Sequence, residues 1–206
     1  MISQFFGLKS TISKVNIICE GDSLTVGQGL SYPSQLLSMI KITDKHIVNY
    51  GVNGQQSAAM KTNISSHCDS SYLAGYKNIC IIQIGVNDIY YNAALSVTIQ
   101  NILDSATIAK NKGFTVLVNT TTPFSMTNTG AAFDALYSKT IQLNQLIRNN
   151  KGVYDFIDIA NDPYFNYQNA VYQTNVYQND ETHLTNEGYN RIAKLDYKKL
   201  NTLKIR

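Results

Sequence analysis

Residues 78–88 read Asn78-Ile-Cys-Ile-Ile-Gln-Ile-Gly-Val-Asn-Asp88 and contain the apolar run from which the fold is predicted. Four isoleucines within 78–84 fall on both faces of an extended chain, which is typical of a central strand in a parallel sheet. A glycine, a valine and two polar residues follow this run directly. Polar side chains are therefore expected near the carboxyl end of a buried strand.

Four further runs of β-branched and apolar residues are predicted as strands, at 15–19, 46–49, 114–119 and 153–157. Between the strands, apolar residues recur at the spacing of one helix face. The two clearest helix faces are formed by Leu95, Ile99, Ile102 and Ala106, and by Leu136, Thr140, Leu143 and Ile147. Strands that alternate with helices predict an α/β fold in which parallel strands are joined by crossover helices.

Helix ends and one long loop are also indicated by the sequence. Ser31 can cap a first helix ahead of Pro33, and the last helix is predicted from about residue 185 to residue 199. The stretch 161–179 has the least periodicity and is rich in Asn, Gln and Tyr. We therefore predict a long loop over 161–179.

The composition fits one soluble globular domain. The 206 residues are 44% hydrophobic and 15% charged, so the polar surface is expected to consist mainly of uncharged hydrogen-bonding side chains. The net charge of +3 is spread along the chain, and its densest basic cluster, at the C-terminus, is typical of a solvated helix face. No nucleic-acid partner is predicted. No apolar run approaches the roughly 18 residues that a membrane-spanning helix needs.

We interpret residues 1–14 as an N-terminal extension and residues 15–206 as a single domain. A short apolar patch in the extension lacks a preceding basic residue and is shorter than the core of a signal peptide. The protein is therefore expected in the cytoplasm by default, or exported as part of a larger assembly. The three cysteines lack CxxC spacing, and His46 and His67 lack the spacing of metal ligands, so no metal and no cofactor are predicted.

Four polar segments follow predicted strands or precede the last helix. They are 20–25 (Glu-Gly-Asp-Ser-Leu-Thr), 49–54 (Asn-Tyr-Gly-Val-Asn-Gly), 85–88 (Gly-Val-Asn-Asp) and 180–184 (Asp-Glu-Thr-His-Leu). The carboxyl ends of parallel strands meet along one edge of a sheet, and open α/β sheets bind their ligands there. We therefore expect these segments to gather at that edge.

The residue types in these segments suit nucleophilic catalysis. A serine hydroxyl needs a nearby base, and the base needs a partner that fixes its tautomer. Ser23 is the candidate nucleophile, His183 the candidate base and Asp180, three residues earlier, its candidate partner. The candidate donors to an oxyanion are the backbone N–H groups of Ser23 and Gly54 and the side-chain amide of Asn87.

The four segments resemble the sequence blocks of the SGNH hydrolases, also called GDSL esterases or lipases. Gly21-Asp-Ser-Leu24 resembles the first block, and Gly54 matches the oxyanion glycine of the second. Asn87 matches the oxyanion asparagine of the third block, and Asp180-Glu-Thr-His183 matches the terminal Asp-x-x-His block. The resemblance extends over residues 15–200. It implies a flavodoxin-like three-layer α/β/α sandwich with a five-stranded parallel sheet, and a Ser-His-Asp mechanism.

Several of these residues also have a simpler interpretation. Ser23 alone could be a turn cap, and Asp180 could be the N-cap of the last helix with His183 in its first turn. Gly27-Gln-Gly29 lacks the third glycine and the Lys-Ser/Thr pair of a phosphate-binding loop, so nucleotide binding is not favoured. Asp88 is interpreted as bonding local backbone rather than taking part in the chemistry.

The sequence thus predicts a serine esterase that hydrolyses short acyl esters, acetyl above all, on a small molecule or a glycan. The loop 161–179 directly precedes the Asp180 segment, and aromatic rings beside amides suit a sugar. The candidate substrate-binding residues in this loop are Tyr164, Tyr167, Tyr172 and Tyr177. The alternatives are a lysophospholipase or thioesterase of the same family, and a non-catalytic glycan-binding module of a larger surface or viral protein.

Overall fold

The structure is a computed structural model that describes residues 14–205. Within these residues, five strands form one sheet: β1 (Lys14–Gly21), β2 (Asp44–Gly51), β3 (Lys77–Gln83), β4 (Thr115–Asn119) and β5 (Asp155–Ile157). All neighbouring strands are parallel, and their order is β2-β1-β3-β4-β5. The predicted parallel strands and the central place of β3 are confirmed. The predicted extension lies outside the described residues apart from Lys14, which opens β1.

The described part of the chain contains seven α-helices. They are α1 (Ser23–Val26), α2 (Tyr32–Met39), α3 (Ser57–Ser71), α4 (Val86–Tyr90), α5 (Leu95–Asn111), α6 (Gly130–Asn149) and α7 (Asn186–Thr202). The two predicted helix faces fall in α5 and α6, and Ser31 caps α2 as predicted. One short 3₁₀ helix, Gln168–Tyr172, interrupts the region predicted as a loop, and another, Ile159–Asn161, ends at the first residue of that region.

The strand order explains how helices cover both faces of the sheet. The chain moves from β1 outward to β2, then returns past β1 to β3 and continues to β4 and β5. Because parallel crossovers are right-handed, helices on the outward path and on the return path lie on opposite faces. α2 packs against α7, while α3 packs against α5, and α5 against α6. The three-layer α/β/α arrangement is confirmed.

The same reversal opens a crevice at the carboxyl ends of β1 and β3. These strands are hydrogen-bonded neighbours, yet the chain leaves them towards opposite faces of the sheet. Both strands are buried on both faces, with Ile17, Ile79 and Ile81 fully enclosed. The core therefore holds the two strand ends, Gly21 and Gln83, side by side at the base of the crevice.

Two features of the fold settle points that the sequence pattern leaves open. The helix α3 has no strong apolar periodicity, and three buried residues one turn apart, Met60, Ile64 and Cys68, hold it on the sheet. The N-cap of α7 is Thr185, whose hydroxyl accepts a hydrogen bond from the Gly188 N–H at 3.2 Å. The cap interpretation of Asp180 is therefore wrong.

Several features of residues 14–205 concern the core and surface rather than the crevice. No helix in this range is long and apolar enough to cross a bilayer, and no three His, Cys, Asp or Glu side chains gather there as a metal site. The three cysteines are buried and form no disulfide. His67 lies in α3, where its Nδ1 atom is 2.9 Å from the buried Glu20 carboxyl group and its ring stacks on Tyr50. His67 is thus held by a hydrogen bond and a ring stack, and it lines neither of the clefts described below.

Candidate active site

The turn after β1 brings Ser23 to the crevice. A Cβ atom on Gly21 would lie 2.1 Å from the carbonyl oxygen of Gln83, so the close approach of the two strand ends requires glycine. Asp22 then caps α1, its carboxylate accepting a hydrogen bond from the Leu24 N–H at 2.9 Å. Ser23 is the first residue of α1, and its half-buried side chain stands at the end of β1.

A tight turn before α7 brings Asp180 and His183 together. The Oδ1 atom of Asp180 accepts hydrogen bonds from the backbone N–H groups of Thr182, at 3.1 Å, and His183, at 2.9 Å. Its Oδ2 atom lies 2.6 Å from His183 Nδ1. Glu181 adopts the left-handed conformation, with φ of 56°, which reverses the chain between them. The carboxylate therefore holds the imidazole ring by Nδ1.

The imidazole joins the turn after β1 to the turn before α7. Its Nε2 atom lies 2.9 Å from Ser23 Oγ, although the two residues are 160 positions apart. A carboxylate has no hydrogen to donate, so Nδ1 carries the hydrogen and Nε2 is the acceptor. The three side chains form one continuous chain of hydrogen bonds, from Ser23 through His183 to Asp180.

The carboxyl group of Asp180 is in an environment that keeps it ionised. Partial burial raises its pKa, but the hydrogen bonds from the His183 side chain and from the backbone N–H groups of His183 and Thr182 outweigh burial, so the pKa is lowered overall. An ionised carboxylate at this position favours the imidazolium form that arises when His183 takes up a proton.

The carboxyl group of Asp22, next to Ser23 in the chain, behaves in the opposite way. Burial raises the pKa of Asp22 to about 7, against the hydrogen bond from the Leu24 N–H and with the help of the nearby Asp88. Asp22 therefore titrates in the neutral range. A pH profile of the activity must therefore distinguish the contribution of Asp22 from that of His183.

Gly54 and Asn87 present the candidate oxyanion donors. The Nδ2 atom of Asn87 donates to the Gln55 carbonyl oxygen at 3.1 Å, and since a carbonyl can only accept, this contact fixes the orientation of the amide and leaves one N–H free. Gly54 has a φ of 72°, and an added Cβ would meet nothing within 4 Å, so its backbone conformation rather than lack of space requires glycine. Among residues 14–205, no backbone carbonyl accepts a hydrogen bond from the N–H groups of Ser23 and Gly54.

Two adjoining clefts open beside these groups. Both are bordered by Asn87, Met126 and His183. The first cleft, of about 280 Å³, is completed by Ser23, Val26, Gly27, Gln28, Asn53 and Gly54. The second cleft, of about 270 Å³, is completed by Tyr90, Tyr91, Thr127, Asp180 and Thr182. A ligand held at Ser23 can therefore extend in two directions.

Several residues of the clefts lie outside the four sequence segments, and Tyr90, Tyr91 and Met126 are the largest of them. Tyr90 and Tyr91, at the end of α4, are 43% and 63% exposed and meet edge to face with ring centroids 5.1 Å apart. Met126 has a positive φ of 50°, and its N–H donates to the Thr182 hydroxyl at 2.9 Å. Their only signal in the sequence is their position shortly after predicted strands.

None of the four tyrosines predicted to bind substrate lines either cleft. Tyr177 is 1% exposed, and its hydroxyl donates to the Pro123 carbonyl oxygen at 3.1 Å. The ring of Tyr164 lies against the Arg191 guanidinium group, whose central carbon is 3.1 Å from the ring centroid. These two rings therefore contribute to the packing of the loop.

The other two tyrosines of the loop, Tyr167 and Tyr172, are on the surface, 42% and 49% exposed. The loop lies along the body of the protein because Ala170, Val171 and Val176 are buried under it. Such apolar anchors are not apparent in a segment dominated by Asn, Gln and Tyr. The role of these tyrosines in substrate binding remains a prediction that the geometry of the clefts does not support.

Solved structures of bacterial proteins share this fold. A member of the lipolytic G-D-S-L family from Veillonella parvula superposes with a TM-score of 0.71 at 18% identity, over 91% of this chain and 98% of the other. A family 3 carbohydrate esterase from Clostridium thermocellum gives 0.68 at 20% identity, over 93% and 98%. An acetylxylan esterase from Geobacillus stearothermophilus gives 0.68 at 17% identity, over 96% and 99%. At these identities the likeness establishes the fold alone.

No curated protein sequence matches the chain. The family model for GDSL-like lipases and acylhydrolases does match, over residues 19–191. That stretch begins within β1, ends within α7 and includes all four polar segments that gather around the crevice. Because the match spans most of the sequence, the chain belongs to the GDSL-like lipase/acylhydrolase family.

Proposed function

We propose that the protein hydrolyses carboxylic esters of short acyl groups, with Ser23 as nucleophile, His183 as general base and Asp180 as its partner. The observation that most supports this function is the continuous chain of hydrogen bonds, 2.9 Å between Ser23 Oγ and His183 Nε2 and 2.6 Å between Nδ1 and Asp180. The first distance allows proton transfer from Ser23 to His183, and the second allows Asp180 to orient the imidazole, both without any rearrangement.

The reaction has two halves. Ser23 Oγ adds to the ester carbonyl carbon as its proton passes to His183 Nε2, and the imidazolium then protonates the alcohol oxygen as the C–O bond breaks. An acyl-serine ester remains. Water then gives a proton to Nε2 and adds to the acyl carbon, the carboxylic acid leaves, and Ser23 recovers its proton.

The negative charge of each tetrahedral intermediate develops on the former carbonyl oxygen. We assign as its donors the N–H groups of Ser23 and Gly54 and the free N–H of the Asn87 amide, all of which border the first cleft. Donors that are fixed before the substrate binds need no reorganisation as the charge forms.

We expect the activity to fall over the pH range in which His183 takes up a proton, because a protonated His183 cannot accept the proton of Ser23. The lowered pKa of Asp180 keeps this carboxylate ionised over that range, and its contribution is lost only at more acidic pH. The acid side of a plot of log kcat/KM against pH should therefore have a slope of about one. The measurement is an aryl acetate assay from acidic to neutral pH.

The control for this profile is Asp22→Asn, because the pKa of Asp22 is raised to about 7. Asparagine still caps α1, so the acid side of the profile should persist in this variant. A flat profile in the wild type would argue against His183 as the base. Loss of the acid side in Asp22→Asn would assign it to Asp22 instead.

The first cleft offers little apolar surface to a long acyl chain. Apart from Val26 and Met126, its lining consists of glycines and polar side chains. Each buried CH₂ group contributes about 0.8 kcal/mol only where an apolar surface receives it. This lining supports a short acyl group, acetyl above all.

The second cleft suits the alcohol part of a sugar ester. Tyr90 and Tyr91 present exposed rings, and Thr127 adds an exposed hydroxyl group. A sugar can lay its C–H face on an aromatic ring while its hydroxyls form directional hydrogen bonds. Two structural neighbours, a carbohydrate esterase and an acetylxylan esterase, are named for such substrates. We therefore assign Tyr90 and Tyr91 the binding role that the sequence suggests for the tyrosines of 161–179.

We expect kcat/KM to be highest for acetyl esters and to fall steeply for acyl chains of about eight carbons or more, because little apolar surface compensates for their insertion. The measurement is a series of 4-nitrophenyl esters from acetate to dodecanoate, all below their aggregation concentrations. A maximum at long chains would contradict a short acyl group and favour a lysophospholipase.

The alcohol side is tested with the acetyl group held constant. Replacing ethanol by a sugar should raise kcat/KM in the wild type, and Tyr91→Ala should lose most of that gain. The matched control is Tyr172→Ala, which removes an exposed tyrosine of the loop and should keep the gain. The opposite result would return sugar binding to the loop 161–179.

A further inference from the structure

Besides the Ser23 N–H, two donors are assigned to the oxyanion, and these two come from different parts of the chain. Gly54 lies in the loop between β2 and α3, whereas Asn87 lies in α4, after β3. Two such groups stabilise one oxygen atom only if their separation is held to within about 0.5 Å. The loop itself turns through a left-handed residue, Gly54, with φ of 72°. A contact between this loop and α4 is therefore required.

Asp88, the residue after Asn87, makes that contact. Its Oδ2 atom accepts a hydrogen bond from the Ser57 N–H at 2.9 Å, and its Oδ1 atom accepts one from the Ser57 hydroxyl at 2.5 Å. Thr98 Oγ1 donates to Oδ1 at 3.3 Å, and Asn101 Nδ2 donates to Ser57 Oγ at 3.1 Å. Asp88 is 3% exposed and Ser57 is fully buried, so water does not compete for these bonds.

Ser57 is the first residue of α3 and follows Gly54 by three positions. The N-cap residue of α3, Gln56, makes no side-chain capping bond. Asp88 therefore supplies, from another helix, the acceptor that the first turn of α3 needs, and its charge lies at the positive end of the helix dipole. The contact spans 31 positions in the sequence and is not the local backbone bond that the sequence suggests.

A second link runs through Gln55. Its carbonyl oxygen accepts from Asn87 Nδ2 at 3.1 Å, and its side-chain amide donates to the Gly21 carbonyl oxygen at 2.9 Å. The loop that carries Gly54 is thus held between the end of β1 and the first turn of α4. Asp88 itself does not line either cleft, so it has no direct contact with a ligand there.

From these contacts we propose that Asp88 is a positioning residue of the esterase site: by holding Ser57, it keeps the Gly54 N–H at the separation from Asn87 that the oxyanion requires. The inference rests on the proposed function. It names a residue that acts through the oxyanion donors and neither touches the substrate nor transfers a proton.

The test compares Asp88→Asn, Ser57→Ala and the double variant in an aryl acetate assay. Asparagine keeps the shape of Asp88 but places an NH₂ group against one of the two Ser57 donors. Each single variant should lower kcat by about tenfold to 10²-fold with KM changed by less than about twofold. The double variant should be about as slow as Asp88→Asn alone, because both changes break the same link.

A second comparison separates positioning from a merely structural role. In an Asn87→Ala background, Asp88→Asn should lower kcat by less than about threefold, since the Asn87 amide from which the Gly54 N–H is to be kept at a fixed separation is already absent. The matched control is Asp196→Asn, a change of a fully buried carboxyl group in α7, whose effect should be the same in both backgrounds. Thermal unfolding of each variant sets an assay temperature at which all are folded.

The outcomes distinguish the inference from the proposed function. The positioning role is overturned, and the proposed function stands, in either of two cases with an active wild type. In the first, Asp88→Asn lowers kcat by the same factor with and without Asn87; in the second, it raises only KM. If Asp88→Asn does not fold, Ser57→Ala, which retains the backbone N–H contact, decides by the same comparison. A wild type that releases acid from no ester overturns the proposed function, and this inference with it.

Discussion

Replacing Ser23 by alanine should reduce kcat for an aryl acetate by about 10⁴- to 10⁶-fold, and His183→Ala should reduce it to a similar level. The Ser23 hydroxyl and the His183 ring nitrogen are 2.9 Å apart and act as one unit, so removing both should cost little more than removing either. Asp180→Asn should cost less, because the imidazole still reaches Ser23. The measurement is steady-state release of the aryl alcohol, with unfolding midpoints recorded for all variants.

The matched control is Ser66→Ala, which removes an exposed serine on α3 and should keep full activity. A serine-directed organophosphonate should label the wild type at Ser23, as located by mass spectrometry of the digested protein. Near-normal turnover in Ser23→Ala, or a label on a different serine, would exclude Ser23 as the nucleophile.

Replacing Asn87 by alanine should lower kcat by about 10²- to 10³-fold with little change in KM, because its amide is needed mainly as charge develops on the substrate oxygen. The amide is 5% exposed and already fixed by its bond to the Gln55 carbonyl, so it is organised before the substrate arrives. The measurement is a full set of kcat and KM values with an acetyl ester.

The control for this variant is Asn53→Ala, which removes an exposed amide that borders the same cleft. It should change kcat by less than about threefold, since the Asn53 amide is not assigned as a donor to the oxyanion. An effect of Asn87→Ala confined to KM would mean that Asn87 binds the substrate and does not stabilise the oxyanion.

The parallel sheet could be predicted because a strand that is buried on both faces has apolar residues at successive positions. The isoleucines of 78–84 need apolar neighbours on each side, and only a central strand provides them. The helix α3 could not be predicted in the same way. Its three buried apolar residues, Met60, Ile64 and Cys68, lie among Ser, Asn and Lys side chains, and packing on the sheet and α5 outweighs that weak pattern.

The residues around the crevice also differ in whether the sequence predicts their positions. The Asp180 carboxylate reaches His183 through a turn of three residues, so residue type and spacing are enough to suggest the pair. The tyrosines of the loop 161–179 are expected over the site because they precede Asp180, but none of them lines either cleft, and buried apolar residues anchor the loop on the body of the protein. Tyr90 and Tyr91 occupy the second cleft because α4 starts at the end of β3.

The sequence by itself determined the family, the parallel α/β fold and the candidate residues Ser23, Gly54, Asn87, Asp180 and His183. Each of these depends on residue type and on position relative to a strand end, which are local properties of the chain. Only the tertiary structure decided that Ser23 Oγ and His183 Nε2 lie within hydrogen-bond distance, and that Asp88 holds Ser57. Such contacts depend on how strands and helices pack. Packing brings together residues that are far apart along the chain, and their distance in space cannot be inferred from their distance in the sequence.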